Sequence, residues 1–257
     1  MKRNPHPFLR HPGHPLPAAI AHRGYSARYP ENTMAAFAAA VELGYRIVET
    51  DIHATADNVP VVFHDSCLDR LTDMRGAISE MSWSDLRRAR VGGRERIPRL
   101  EELLTTWDTL RVNIDPKQDS AVGPLLEVLR DTDAWDRVCV GSSSSPRLRR
   151  IRATAGDRLC TSMGTAEVVR LWLAGHVLPL GGFAADCAQV PTHRYGLPVI
   201  DRAFMAAAHA RSLPVHAWTI NEEAEMNRLL DLGVDGVMTD EAELLKRVFQ
   251  ARNIWTV

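Results

Sequence analysis

The stretch Arg111-Val112-Asn113-Ile114-Asp115-Pro116-Lys117 alternates polar and apolar residues without a break. A period of two is that of a β-strand, so Asn113, Asp115 and Lys117 share one face and Val112 and Ile114 take the other. A second stretch, Ile47-Val48-Glu49-Thr50-Asp51-Ile52-His53, sets Glu49 and Asp51 on one face by the same count. In a barrel strand, one face meets the helices and the other looks into the interior. The apolar faces here fit the helix side, and the charged faces then point inward near the mouth.

Working outward, strand-like runs recur at 18–22, 47–53, 111–117, 138–142, 158–163, 183–190, 214–219 and 236–239. An extra short strand is expected at 61–64. The segments between them read as helices. In 31–43, Met34, Phe37, Val41 and the alanines make a helical apolar face, with Asn32 or Thr33 at its start and Gly44 at its stop. In 222–232 a second such helix is closed by Gly233. Eight strands alternating with helices predict an α/β fold, a TIM-type (β/α)8 barrel with a small insertion after the second strand. A doubly wound open sheet is the alternative, but no GxGxxG follows the first strand. The expected layout is a loose N-terminal arm over 1–17 and one catalytic barrel domain over 18–257, its insertion at about 54–100.

At 257 residues and 45% hydrophobic content the chain can bury one large core. With 31 basic and 32 acidic residues, its net charge of -1 offers no grip on nucleic acid. No apolar run is long enough for a signal peptide or a membrane span, so a cytoplasmic protein without stable membrane insertion is expected. Cys67, Cys139, Cys160 and Cys187 form no CxxC pair and read as free core thiols in a reducing compartment. Only three of the basic residues are lysines, and Lys117 alone of them lies mid-chain. Oligomeric state is not legible.

Chemistry gathers at the predicted strand ends. They carry His22-Arg23-Gly24, then Glu49 and Asp51, then His64-Asp65, then Asp115 and Lys117. A single acid is usually an ordinary ion-pair partner. Three inward acids, Glu49, Asp51 and Asp115, suit one hard divalent cation, Mg2+ or Ca2+, with Mn2+ tolerated. His22 and His64 make an acid–base pair, since imidazole titrates near neutrality. Arg23 and Lys117 supply positive charge for a phosphate, and Arg23 can pair with Glu31 at the same time. His6, His11 and His14 lie in the arm, and His53, His176, His193, His209 and His216 receive no role.

These residues also carry a resemblance. Ala21-His22-Arg23-Gly24, Pro30-Glu31-Asn32-Thr33, Glu49-Thr50-Asp51, Val61-Val62-Phe63-His64-Asp65, Asn113-Ile114-Asp115-Pro116-Lys117, Trp218-Thr219-Ile220-Asn221 and Thr239-Asp240 follow one another in an order that resembles the glycerophosphodiester phosphodiesterases. The resemblance spans about residues 18–245. It implies a TIM barrel with one divalent cation on Glu49, Asp51 and Asp115, essential histidines at His22 and His64, and phosphate contacts from Arg23 and Lys117. It further implies hydrolysis of a small glycerophosphodiester to glycerol 3-phosphate and an alcohol. Glu31 and Trp218 are expected as second-layer or substrate contacts. Asp115 stands where many relatives have Glu, Asn58 where they have Gly in a turn, and Glu241-Ala242 where Arg-Pro is common. Rival readings are a lysophospholipase D with an apolar groove lined by Trp172, Phe183 and Trp218, and a non-catalytic barrel that binds phosphorylated ligands.

Overall fold

The computed structural model describes residues 5–10, 17–178 and 180–255. Its main sheet contains β1 (Ala18–His22), β2 (Ile47–Ala54), β3 (Arg111–Pro116), β4 (Val138–Val140), β5 (Cys160–Thr161), β6 (Ala188–Pro191), β7 (Val215–Trp218) and β8 (Gly236–Thr239). The helices that follow them are α1 (Met34–Glu42), α2 (Leu100–Thr106), α3 (Val122–Asp131), α4 (Ser145–Ala155), α5 (Thr165–His176), α6 (Arg202–His209), α7 (Glu223–Leu232) and α8 (Ala242–Ala251).

Neighbours run β5-β4-β3-β2-β1-β8-β7-β6, every pairing parallel. The ring closes between its two end strands. Ser162 and Cys187 form a parallel bridge there, the Asp186 amide donates to the Thr161 carbonyl at 2.8 Å, and the Met163 amide to the Cys187 carbonyl at 2.9 Å. The fold is thus the expected TIM-type (β/α)8 barrel.

Alternation along the strands builds two cores. Val48, Ile52, Val112, Ile114, Val138, Val140, Val190, Val215 and Val237 face outward into the layer shared with the helices. Ile20, Ile47, Cys139, Cys160, Cys187 and Met238 face inward and fill the lower interior. Removing such side chains from water is the main drive for closure.

Residues 55–99 form the insertion after β2. A short strand, Pro60–Val62, runs antiparallel to the end of β2, and Val61, Phe63, Leu68, Ile78, Leu86 and Ile97 make a core of their own. Asn58 turns with φ 61°, the left-handed conformation that asparagine tolerates in place of glycine.

Three expectations need correction. The arm is not loose over residues 5–10: Pro7–Leu9 form a 3-10 turn, and Phe8 is buried with the lower interior residues. Arg111 clamps this turn by donating to the Phe8 carbonyl at 2.9 Å. Residues 1–4 and 11–16 of the expected arm, with His11 and His14, lie outside the described residues. The strand expected at 183–190 begins only at Ala188. Phe183 sits instead against the guanidinium groups of Arg170 and Arg211, at 5.4 and 5.8 Å, a cation–π contact that outweighs its strand propensity. Finally, Cys67 is exposed in the insertion and is no core thiol.

Candidate active site

β1 delivers His22 to the barrel mouth, and the chain turns at once. Arg23 and Gly24 have φ 58° and 79°, and a Cβ on Gly24 would stand 2.6 Å from the Ala36 carbonyl carbon. Only glycine lets this turn press onto α1. The turn aims the Arg23 amide at Glu49, 3.0 Å from its carbonyl oxygen and 3.3 Å from Oε2.

His22 is fixed through Nδ1, which lies 2.7 Å from Asp240 Oδ1. Asp240 is itself held by Ser26 Oγ at 3.0 Å and Asn221 Nδ2 at 2.8 Å. An Nδ1–H donated to the carboxylate leaves Nε2 facing the interior, 3.6 Å from Glu49 Oε2. Burial opposes protonation of His22, but the Glu49 charge and the Asp240 hydrogen bond outweigh it and raise its pKa. Burial likewise opposes ionisation of Asp240, yet the His22 bond and charge hold it at about 2.

His64 repeats the pattern from the insertion. Its Nδ1 lies 2.7 Å from Asp65 Oδ1. Arg70 grips Asp65 at 2.6 and 3.0 Å and holds that carboxyl well below its usual range. Arg70 continues to Glu31 at 3.0 Å, and Glu31 accepts from Arg23 at 2.8 Å. A chain of alternating charges therefore links His64 to Arg23. From below, His53 Nε2 meets the His64 carbonyl at 2.9 Å.

The inward acids occupy β2 and β3. Glu49 and Asp51 are buried, and the strand register sets Asp51 beside Asp115. Lys117 bridges the latter two, its Nζ 2.7 Å from Asp51 and 2.9 Å from Asp115. Arg23 Nε stands 3.2 Å from Asp51 Oδ2 without hydrogen-bond alignment. Asn32 Nδ2 also donates to Asp51 at 3.1 Å. Burial disfavours the Asp51 charge, but Lys117 and Arg23 outweigh it and lower its pKa. For Glu49, burial and the Asp51 charge outweigh the pull of His22, Lys117 and Arg23 and push it up to about 8. Burial also raises Asp115, against the pull of Lys117.

The structure thus gathers His22, Arg23, Glu31, Glu49, Asp51, His64, Asp115 and Lys117 into one connected group. Trp218 ends β7 and is 39% exposed. Trp172 and Phe183 lie apart, packed around the helix layer, with Trp172 Nε1 donating to the Pro198 carbonyl at 3.2 Å. Sequence reasoning gave no role to Asp240, Asp65 or Arg70, which hold the two imidazoles. The signal was present in the quoted motifs: Asp65 follows His64, and Asp240 lies just past the last barrel strand. His53 and His216 also proved to be interior rather than isolated, with His216 Nδ1 3.4 Å from Gln189 Nε2.

A (β/α)8 barrel with imidazoles, carboxylates and cations gathered at the C-terminal ends of its strands has the layout of a barrel enzyme. The glycerophosphoryl diester phosphodiesterase family model matches residues 22–244, and the chain belongs to that family and is an enzyme of its class. A Mycobacterium tuberculosis protein named "Probable glycerophosphodiester phosphodiesterase 2" is 41% identical over 255 residues, covering 96% of this chain and 95% of that protein. A mouse protein named as a lysophospholipase D is 28% identical over 88% of this chain and 84% of its own length. Among solved structures, an Oleispira antarctica phosphodiesterase in complex with the product sn-glycerol-3-phosphate superposes with a TM-score of 0.77 at 24% identity, over 91% of this chain and 97% of that one. A glycerophosphodiester phosphodiesterase of Thermotoga maritima gives 0.70 at 26% identity, over 93% and 100%.

Proposed function

We propose that this protein hydrolyses small glycerophosphodiesters to glycerol 3-phosphate and an alcohol. In this reading Glu49, Asp51 and Asp115 hold one divalent cation, Mg2+ or Ca2+, with Mn2+ accepted. The donor set fits a hard cation. All its donor atoms are oxygens, Asp115 Oδ1 is buried without a hydrogen-bond partner among the described residues, and burial beside the Asp51 charge raises the Glu49 pKa. When bound, the ion would polarise the phosphoryl oxygens.

The chain's own groups do the rest. Arg23 and Lys117 bind the phosphodiester and balance the charge that builds on it. One of His22 and His64 takes the proton of the neighbouring glycerol hydroxyl as its oxygen forms the new bond to phosphorus. The other imidazole gives a proton to the departing alkoxide as its bond to phosphorus breaks. The imidazoles then exchange roles while water opens the cyclic phosphate. Asp240 and Asp65 keep both rings oriented throughout. Trp218 and Glu31 lie around the glycerol.

The observation that carries this reading is the pair of carboxylate-backed imidazoles, His22 on Asp240 and His64 on Asp65, beside an oxygen-only acid cluster. The test is turnover of glycerophosphocholine by the wild type and by His22→Ala and His64→Ala, before and after chelation. Turnover should vanish with chelator, return with the cation, and fall by about 10²–10⁴-fold in each variant. Undiminished turnover in either histidine variant would overturn the two-histidine scheme. A lysophospholipase D reading draws on the 28% identical mouse relative, and lysophosphatidylcholine as a better substrate than glycerophosphocholine would favour it.

A further inference from the structure

The barrel interior ends in sulfur on one side. Cys139 on β4, Cys160 on β5 and Cys187 just before β6 come from neighbouring positions around the ring. Their wide sequence spacing hides this, because consecutive barrel strands are separated by a helix and its loops. All three are fully buried, and their Sγ atoms lie within 4.8 Å of one another. Cys139 Sγ and Cys187 Sγ are 3.9 Å apart. Three sulfurs around a trigonal ion, each about 2.3 Å from it, stand about 4.0 Å from one another. The Cys139–Cys187 spacing, which is also that of a thiol hydrogen bond, matches such a donor set. Met238 adds a thioether to the same cluster, whose other buried members are Phe8, Ile20 and Ile47.

We propose that Cys139, Cys160 and Cys187 form a soft-metal site for a single Cu(I) ion. Thiolate and thioether donors in an apolar shell select Cu(I) over hard cations. A zinc ion would want a fourth ligand in a tetrahedron, and the cluster offers three thiols. Binding displaces thiol protons to solvent and changes no oxidation state. The Phe8 turn packs into this same cluster, so it would have to lift for the ion to enter from that side.

The test uses the whole chain under anaerobic conditions, titrated with Cu(I) against a chromogenic Cu(I) chelator. The wild type should keep one equivalent per chain, melt at higher temperature with it, and show three sulfur neighbours at about 2.3 Å by X-ray absorption. Cys67→Ser, at an exposed thiol, should bind as the wild type does. Cys160→Ala and Cys187→Ala should lose the site, with circular dichroism confirming the fold. Cys139→Val is the companion variant that refills the core if an alanine loosens it. Surrender of copper by the wild type to the chelator, nitrogen or oxygen neighbours in the absorption spectrum, or full retention in the folded Cys187→Ala chain would each overturn the proposal.

Discussion

At the scale of single residues, the two imidazoles depend on acids that the sequence presents plainly but does not explain. Asp240 raises His22 through a 2.7 Å bond and is itself tied to Ser26 and Asn221. Asp240→Asn keeps the shape and removes the charge. It should lower kcat by about 10–100-fold, the usual cost of losing an orienting partner, with KM little changed. Because Asp240 raises the His22 pKa, the limb of the pH–rate profile governed by His22 should move to lower pH. A profile that stays in place would mean Asp240 acts only in packing. Lys117 is the other informative position. It is one of three lysines in the chain and bridges Asp51 and Asp115 at 2.7 and 2.9 Å. Arginine keeps the charge but brings a wide planar fork to a place shaped for a compact ammonium. Lys117→Arg should lose most kcat/KM on glycerophosphocholine while its thermal melt stays close to wild type. Wild-type turnover in that variant would remove Lys117 from the phosphate site.

Among the elements, those with clean alternation were legible and those governed by long-range packing were not. β1 and β8 fall where the apolar runs predict, and β2 and β3 match to within a residue. Strict period-two patterns leave little choice of register once one face must meet the helices. The inward placing of Glu49, Asp51 and Asp115 followed from that same pattern. β6 is shorter than expected because the chain between α5 and β6 is spent on other contacts, among them Phe183 against Arg170 and Arg211. No local pattern announces a contact of that kind. The Phe8 turn was missed for the same reason, since its partners Ile20, Ile47 and Met238 come from strands far along the chain. Its contribution can be measured. Phe8 is 1% exposed, and its truncation removes a large buried ring from the barrel floor. Phe8→Ala should cost about 3–5 kcal/mol of stability. Turnover at low temperature should persist, because the proposed catalytic group lies at the opposite ends of the strands. A loss below about 1 kcal/mol would mean that the arm makes no real seal.

For the whole molecule, charge inside the barrel links stability, pH and cation binding. Glu49 titrates in the ordinary carboxylate range when the chain is unfolded and near 8 when it is folded. Between those values the folded chain holds the extra proton, so stability falls as pH rises through that window. His22 acts in the same sense, since its raised pKa gives stability that is lost as pH climbs through it. On the proposed reading, a divalent cation would reverse the Glu49 part by binding the carboxylate and competing with the proton. Its stabilisation grows with occupancy, reaching about 2.7 kcal/mol at a hundred times Kd. Melts in chelator should therefore show a lower Tm at about pH 8.5 than at about pH 6. Adding Mg2+ or Ca2+ should raise Tm at both, and more at the higher pH. Glu49→Gln should flatten the pH dependence in chelator, leaving the His22 part, and should shrink the cation's effect. A cation shift that is equal at both pH values, or that survives intact in Glu49→Gln, would separate Glu49 from the metal and leave its raised pKa a matter of burial alone.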